Sequence, residues 1–363
     1  MMQLEQGKLS SGHLIFLIFG YTLGSSVILN PGRLAGHDAW LVILAGLGVG
    51  LLYVFIFTTL ALRFKGKNLV EINDLIFGKY LGKLLSLTYL GYFLWTGSLA
   101  TREFCDFFVD TIYPQTPLIV FVILILIVCA YAVRHGIEVI MRCSIILFPV
   151  VVGFFLLGTF FLVAQMEFTN FLPVFDISWQ RFILSTCTTS AFPFGETVVL
   201  LMVLAYVQDQ QKIRKSVILS VVLAGLFLCA VVIITTAVLG ITADIQTYPS
   251  LLTIRLINAG EVFTRLEIIV LGTILAFGFL KIVVLYYAAT LGLAQVFKLR
   301  SYLPLVIPVG IMTVVIAMLS FENMNELIEF DINRYRYYAL PIQVGLPLLS
   351  LIVAAIRGVR GKA

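Results

Sequence analysis

The chain has 363 residues, of which 61% are hydrophobic and 12% charged, and its formal net charge is +5. A soluble domain cannot bury so much apolar surface, so the composition indicates a polytopic membrane protein. It argues against a nucleic-acid partner, because the excess of positive charge is better interpreted as a signal of membrane topology. The sequence contains no catalytic triad, phosphate loop or metal-ligand spacing, and therefore predicts neither an enzyme nor a cofactor or metal.

Apolar runs long enough to cross a bilayer, at roughly 20 residues each, fill most of the chain. We therefore predict an all-α fold and a single membrane domain over 1–363. Ten spans are predicted, at 12–33, 38–62, 84–109, 117–134, 142–166, 183–207, 214–240, 265–297, 302–320 and 338–356. The first run lacks a small-residue cleavage site and is interpreted as a span, not as a signal peptide.

Lysine and arginine are concentrated in every second connection between the predicted spans. Because these residues accumulate on the cytoplasmic side of membranes, both termini are predicted to be cytoplasmic, which requires an even number of spans. Three longer connections, 64–83 inside and 241–264 and 322–337 outside, are predicted to be solvated or interfacial segments. The first carries an amphipathic pattern, and the second a possible surface helix.

The sixth predicted span contains the segment TSAFPFGET, Thr189 to Thr197. Pro193 removes a backbone donor and Gly195 loosens the chain, while a carboxylate such as Glu196 is costly in hydrocarbon. Freed backbone groups survive in a membrane only inside protein or beside water. We interpret the segment as unwound chain that lines a small polar cavity; a packed proline kink is the alternative.

The first predicted span has a comparable polar patch, GYTLGSSV, from Gly20 to Val27. If the chain consists of two halves of five spans, about 12–166 and 183–356, the first and sixth spans are equivalent and the second half is inverted. Interrupted helices at matching positions of two halves indicate a transporter-type site. The alternative for the first span is a Gly20/Gly24 packing face.

Six segments occur in a characteristic order: HDAWLVILAG, REF…TIYPQTPLIV, YAVRHGIEVIMR, NFLPVF, FPFGETVVLLMV and TYPSLLTIRLI. Together they resemble the spore germination permeases, which are the B subunits of nutrient germinant receptors within the amino-acid/polyamine/cation transporter superfamily. The resemblance implies a leucine-transporter-like fold, a 5+5 inverted repeat in which helices 1 and 6 are broken. It also implies partners, an A-type subunit and a lipoprotein C-type subunit, in the cell membrane or spore inner membrane, surrounded by lipid.

The function expected from the resemblance is a membrane subunit that binds a small nutrient, in the first place an amino acid, and signals germination. Two alternatives stay open at this stage. The protein could be a genuine amino-acid permease, with Glu196 as a candidate for proton coupling, or a ligand-gated ion-conducting subunit.

In such a fold, the ends of the broken helices supply the ligand site. We predict that the backbone and hydroxyls of the first break bind a carboxylate and that carbonyls of the second bind an ammonium group. Glu196 is expected to cap a helix, to bind the ligand or to titrate, and the two phenylalanines to wall the pocket or to face lipid. The predicted ligand-binding residues are Thr22, Gly24, Ser25, Ser26, Ser190, Ala191, Phe192, Phe194, Gly195 and Glu196.

Two further groups of charges fall within predicted spans. Lys281 either takes the place of a cation between the first and eighth spans or forms an interior ion pair. In the third span, Arg102 and Asp106 lie one helical turn apart and are predicted to pair. Together with Glu103 and Asp110 they form either a gate or partner interface or, more simply, a snorkelling ring at the membrane edge.

Overall fold

The structure is a computed structural model, and it describes residues 5, 7–257 and 267–361, without the side chains of 267–270. The described chain is nearly all helical. Its first half contains α1 (Leu14–Leu23), α2 (Ser26–Leu29), α3 (Ala39–Arg63), α4 (Leu69–Phe77), α5 (Lys79–Thr111), α6 (Leu118–Arg134) and α7 (Ile137–Leu162). Its second half contains α8 (Trp179–Thr189), α9 (Ile213–Leu239), α10 (Thr242–Ile245), α11 (Pro249–Arg255), α12 (Glu267–Val296), α13 (Leu303–Leu319), α14 (Met324–Phe330), α15 (Arg336–Leu340) and α16 (Leu346–Ile356).

Five helical stretches in the described chain are long and apolar enough to cross a membrane: Arg33–Arg63, Ile137–Gln165, Ile213–Leu239, Leu271–Val296 and Met324–Ile356. Shorter apolar helices occupy Leu14–Leu29, Leu118–Arg134 and Leu303–Leu319. The remaining two predicted spans correspond to α5, which carries buried charges, and to the interrupted chain from α8 to Tyr206. The predicted architecture of about ten membrane helices is therefore confirmed.

Helix α12 forms the centre of the bundle and packs against α1, α5, α6 and α7. Its middle is buried on every side, which is why Phe277, Lys281 and Tyr287 are inaccessible. The outer helices instead expose large apolar side chains, among them Ile127 of α6 and Phe160 of α7. Contiguous apolar surface of this kind marks a membrane-facing exterior.

The two ends of the bundle are held together by different hydrogen bonds. At one end, which we call the terminal face, Leu9 exchanges backbone hydrogen bonds of 2.9 Å with Tyr206 and Gln208. The C-terminal segment joins there through Gly361 N–H and the carbonyl of Arg63. At the other end, the opposite face, Arg33 donates to the carbonyls of Asp244 and Gln246 at 3.0 and 2.9 Å. Which end faces the cytoplasm stays a prediction from the lysines and arginines.

The last span differs from its predicted bounds. Residues 322–337, expected to be an external connection, are mostly helical: α14 begins at Met324, capped by Asn323, and the helix continues through π-helical turns at Asp331–Tyr335 and Pro341–Gly345. The expectation failed because one side of this segment packs into the protein, although polar residues such as Glu326 and Arg334 on its other side are exposed. Tyr335 and Arg336 are buried, and hydropathy alone cannot distinguish such a helix from a solvated loop.

The other two long connections contain short helices, as expected. Helix α4 is held by a capping box between Asn68 and Glu71 and packs its apolar side against α5. Helices α10 and α11 lie in the connection 241–264, of which 258–264 fall outside the described residues.

Candidate functional site

The first span is broken at a single glycine. Helix α1 ends at Leu23, Gly24 adopts φ +21° and ψ −119°, and α2 starts at Ser26. A Cβ at Gly24 would collide with the side chain of Lys281, so the position requires a glycine both for its backbone conformation and for space. Gly20 packs in the same close way on Leu280, so the packing face and the helix break coexist in this span.

The sixth span is interrupted over a longer stretch. After α8, residues Ser190–Phe194 form a π-helical turn in which Phe192 is extended (φ −126°, ψ 115°), and Gly195–Met202 is 3₁₀-helical. The peptide bond between Phe192 and Pro193 is cis. Phe192 and Phe194 are both buried, which excludes the alternative that they face lipid.

Lys281 joins the two breaks. Its ammonium lies 2.8 Å from Oε2 of Glu196 and donates to the hydroxyl of Ser25 at 2.9 Å. The same nitrogen lies 4.4 Å from the centre of the Phe192 ring, in range for a cation–π contact. Lys281 therefore forms the interior ion pair and also contacts the first span; that its ammonium takes the place of a cation stays a prediction.

A chain of hydrogen bonds ends on the carboxylate of Glu196. Tyr335 donates to Oε1 of Glu196 at 2.7 Å, and its oxygen is 3.0 Å from that of Tyr92, which accepts from Nε2 of Gln343 at 2.7 Å. The Gln343 amide can only donate to Tyr92, and the Tyr335 hydroxyl already donates to Glu196. The Tyr92 hydroxyl therefore donates to Tyr335, and every hydrogen bond of the chain is directed toward Glu196. Tyr21 adds a bond to the Glu196 carbonyl at 3.0 Å. Both oxygens of the Glu196 carboxylate are thus bonded by side chains, Oε1 by Tyr335 and Oε2 by Lys281.

None of these four polar partners was identified from the sequence. Gln343 also donates to the carbonyl of Ala191 at 3.0 Å and so satisfies one backbone acceptor freed by the second break. A lone amide inside the apolar run PIQVGLPLL was the available signal for it. Tyr335 carried no such signal, because its segment was interpreted as a connection.

The other predicted residues lie at the breaks and bond mostly to nearby backbone, although Ser190 also lies 3.2 Å from the hydroxyl of Tyr53. Ser26 donates to the carbonyl of Thr22 at 3.1 Å, and Ser190 to that of Cys187 at 2.8 Å. The hydroxyl of Thr22 is buried and has no partner among the described residues. Gly195 lies against Gln343, where a side chain would clash, and Phe194 packs on Gly50 of α3. The structure thus brings Ser25, Phe192, Glu196 and Lys281 together.

Of the four charged residues predicted together in the third span, only Asp110 is exposed, so they do not form a ring at the membrane edge. Arg102, Glu103 and Asp106 are all buried. Arg102 forms the predicted pair with Asp106 at 2.7 Å and donates to carbonyls at the C-terminal end of α13, those of Ala317 at 3.1 Å and Phe321 at 2.7 Å. The snorkelling interpretation failed because helix-end carbonyls and a carboxylate satisfy this guanidinium inside the protein.

Cavities of different size flank the centre. A polar cavity of about 410 Å³ lies at the terminal face, lined by residues that include Glu71, Asp74, Tyr206 and Lys298. Burial raises the pKa of the Asp74 carboxyl, against the opposing effect of Lys83 and Lys298. On the opposite face, Asn30, Phe192 and Asp331 line a cavity of only about 30 Å³, room for one or two water molecules.

Two broken helices that meet beside a central, buried helix define a membrane protein of the leucine-transporter-like fold. Solved structures agree. A Na⁺-coupled sialic acid symporter in a substrate-bound outward-open state matches with a TM-score of 0.70 at 12% identity, covering 98% of this chain and 92% of that one. MhsT in complex with L-phenylalanine matches with a TM-score of 0.61 at 14% identity, covering 97% and 99%. At these identities the likeness concerns the fold alone.

Sequence comparison identifies the family. The profile described as spore germination protein matches residues 8–326. Spore germination protein KB of Bacillus subtilis is 28% identical over 97% of this chain and 95% of its own length. Spore germination protein YndE of the same organism is 25% identical over 96% and 97%. The chain belongs to the spore germination protein family, as the sequence segments had predicted.

Proposed function

We propose that this protein is the integral membrane subunit of a nutrient germinant receptor, and that it binds a small amino acid at the Lys281–Glu196 pair. The observation that carries the proposal is the position of Lys281, whose ammonium touches both helix breaks at once. The names of the relatives support the role in germination, and the fold of the structural neighbours supports a small-molecule site at the breaks.

The chemistry of the pair favours a zwitterion. Lys281 offers a cation for a ligand carboxylate, and Glu196 offers an anion for a ligand ammonium group. When an amino acid inserts, both buried charges exchange one partner for another, so neither is left uncompensated, which would be costly in a low-dielectric site. A neutral sugar or nucleoside brings no such compensating charges. The ring of Phe192 is the apolar surface nearest to the pair and is expected to contact the ligand side chain.

Insertion of a ligand would also loosen the direct link between the breaks. Lys281 would no longer bond Glu196 directly. Conformations in which the two breaks lie further apart would then become more populated, to the extent that the ligand binds them more tightly than the closed conformation. We propose that A-type and lipoprotein C-type subunits receive this change. The receptor would lie in the cell membrane or spore inner membrane with both chain termini cytoplasmic.

The proposal is tested in spores that carry Glu196→Gln, with Glu138→Gln as the control. Glu138 is an exposed glutamate paired with Arg142 at the end of α7. Germination is scored against a panel of L-amino acids, with glucose and inosine as uncharged comparisons. We expect wild type and Glu138→Gln to respond to an amino acid. Glu196→Gln lacks the anion for the ligand ammonium group and should need an amino-acid concentration at least about tenfold higher, which corresponds to a loss of about 1.4 kcal/mol of binding free energy. An unchanged dose-response at equal protein level, or a response to uncharged nutrients only, would contradict the assignment.

Amino-acid permeation is a second candidate, favoured by the unequal cavities. A cavity of about 410 Å³ at the terminal face and one of about 30 Å³ at the opposite face differ in size, as the two sides of a transporter do in one state of alternating access. Purified protein in proteoliposomes distinguishes the two functions. A permease accumulates radiolabelled amino acid inside the vesicles, whereas a sensor binds it without accumulation. An ion-sensitive dye in the same vesicles tests for ligand-gated conduction.

A further inference from the structure

A pair of acidic residues lies beside the Lys281–Glu196 ion pair and is not among the residues proposed to bind the nutrient. Glu103 of α5 and Asp331, at the start of the π-helical turn after α14, place their carboxyl groups within hydrogen-bonding range of each other. Glu103 is only 3% exposed. Oε2 of Glu103 and Oδ2 of Asp331 are both buried and receive no hydrogen bond from the described residues.

The surrounding cations bond to other groups, although Nε of Arg336 has no partner among the described residues. Lys281 acts on both acids but is bonded to Glu196 and Ser25. Arg102, on the same helix as Glu103, is turned to Asp106 and the end of α13. Arg336, near Asp331, donates to Thr188 and to the carbonyl of Ile332. The carboxyl groups of Glu103, Asp331 and Glu196 therefore share one ammonium ion.

Two ionised carboxylates in contact in such a site repel each other, and the Ser25 hydroxyl, which bonds Glu103, leaves Oε2 of Glu103 and Oδ2 of Asp331 without a donor. A single proton resolves both problems, because the protonated acid donates to the carboxylate and the pair then carries one negative charge. With that proton, Glu103, Asp331, Glu196 and Lys281 together carry a net charge of −1 in place of −2.

We infer that Glu103 and Asp331 form a proton-binding site, in which one shared proton ties α5 to the last span. Asp331 also lines the small cavity on the opposite face, so water there gives the proton a route in and out. The inference goes beyond nutrient binding: it would hold for a receptor, a permease or a channel. Release of the proton to water would leave two like charges in contact and drive α5 and the last span apart at this face.

Infrared difference spectroscopy of the purified full-length protein in lipid tests the site directly. At neutral pH, wild type minus Glu103→Gln and wild type minus Asp331→Asn should each show the loss of one protonated-carboxyl carbonyl band, shifted in D₂O. In either variant the remaining carboxylate faces an amide donor and stays ionised. Wild type minus Glu138→Gln should show carboxylate bands only, since Glu138 is exposed and paired with Arg142.

Two results would overturn the inference. One is a difference spectrum for both Glu103→Gln and Asp331→Asn in which only ionised carboxylate bands are lost. The other is a wild-type protein in which Na⁺ or K⁺ titration, not pH, changes the carboxyl bands, because the occupant would then be a metal cation. If neither variant folds, alkaline titration of the wild type decides: the buried acid band should disappear with rising pH in a single one-proton step.

Discussion

The two helix breaks are built in opposite ways. The first consists of one residue, Gly24, between short regular helices, and Lys281 presses on it from α12. The second extends from Ser190 to Tyr206, without regular α-helix, and is held by side chains of other helices. Among these are Gln343, on the Ala191 carbonyl, and Tyr21, on the Glu196 carbonyl.

This difference indicates that the first break is a hinge and that the second is rigid. A single glycine at positive φ has no side chain to restrict its backbone, so it is a point at which the direction of the chain changes at low cost. A long irregular segment with several supporting hydrogen bonds is a platform that keeps its shape. Lys281 touches both, so we infer that the first break moves relative to the second when the ammonium changes its partner.

Removal of Lys281 should have the largest effect, because both breaks depend on it. Lys281→Met leaves the Glu196 carboxylate buried without its cation, which costs about 3–5 kcal/mol. The double variant Lys281→Met/Glu196→Gln removes both charges and should regain most of that loss. Thermal unfolding of the purified protein in detergent measures both changes.

Lys65→Met, at an exposed position after α3, serves as the control and should unfold like wild type. If Lys281→Met were as stable as this control, or if the double variant were the least stable of the three, the ion pair would not be what joins the breaks.

A substitution at the first break should have the second-largest effect on stability. Gly24→Ala combines an unfavourable φ with a clash against Lys281, for an expected loss of about 2–4 kcal/mol. Gly91→Ala in α5 is the matched control, since an added Cβ there meets nothing within 4 Å. It should be neutral or stabilising by up to about 1 kcal/mol. Equal unfolding temperatures for the two variants would mean that the first break tolerates a side chain and is not a hinge.

The order of spans and both breaks could be predicted from sequence because they rest on local signals: long apolar runs, a proline beside a glycine, and a cluster of small polar residues. The partners of Glu196 could not. Tyr92 lies on α5, and Tyr335 and Gln343 lie on the last span, all far from Glu196 in sequence. Their role depends on which face of each helix turns inward. Arg102 was misplaced for the same reason, because a charge near a span end has the same pattern whether it points to water or to a neighbouring helix.

The smallest of the three effects is expected at the support of the second break. Gln343→Leu removes the donor to the Ala191 carbonyl and to Tyr92, leaving a buried backbone acceptor unsatisfied, at about 1–2 kcal/mol. Gln180→Leu, at an exposed position in α8, is the matched control. Thermal unfolding gives the stability, and the germination dose-response shows whether Glu196 keeps its orientation. If the second break is a platform with several supports, Gln343→Leu should lower stability while a response persists at higher nutrient concentration. A complete loss of response with normal stability would instead place the moving element at the second break and reverse the roles of the two.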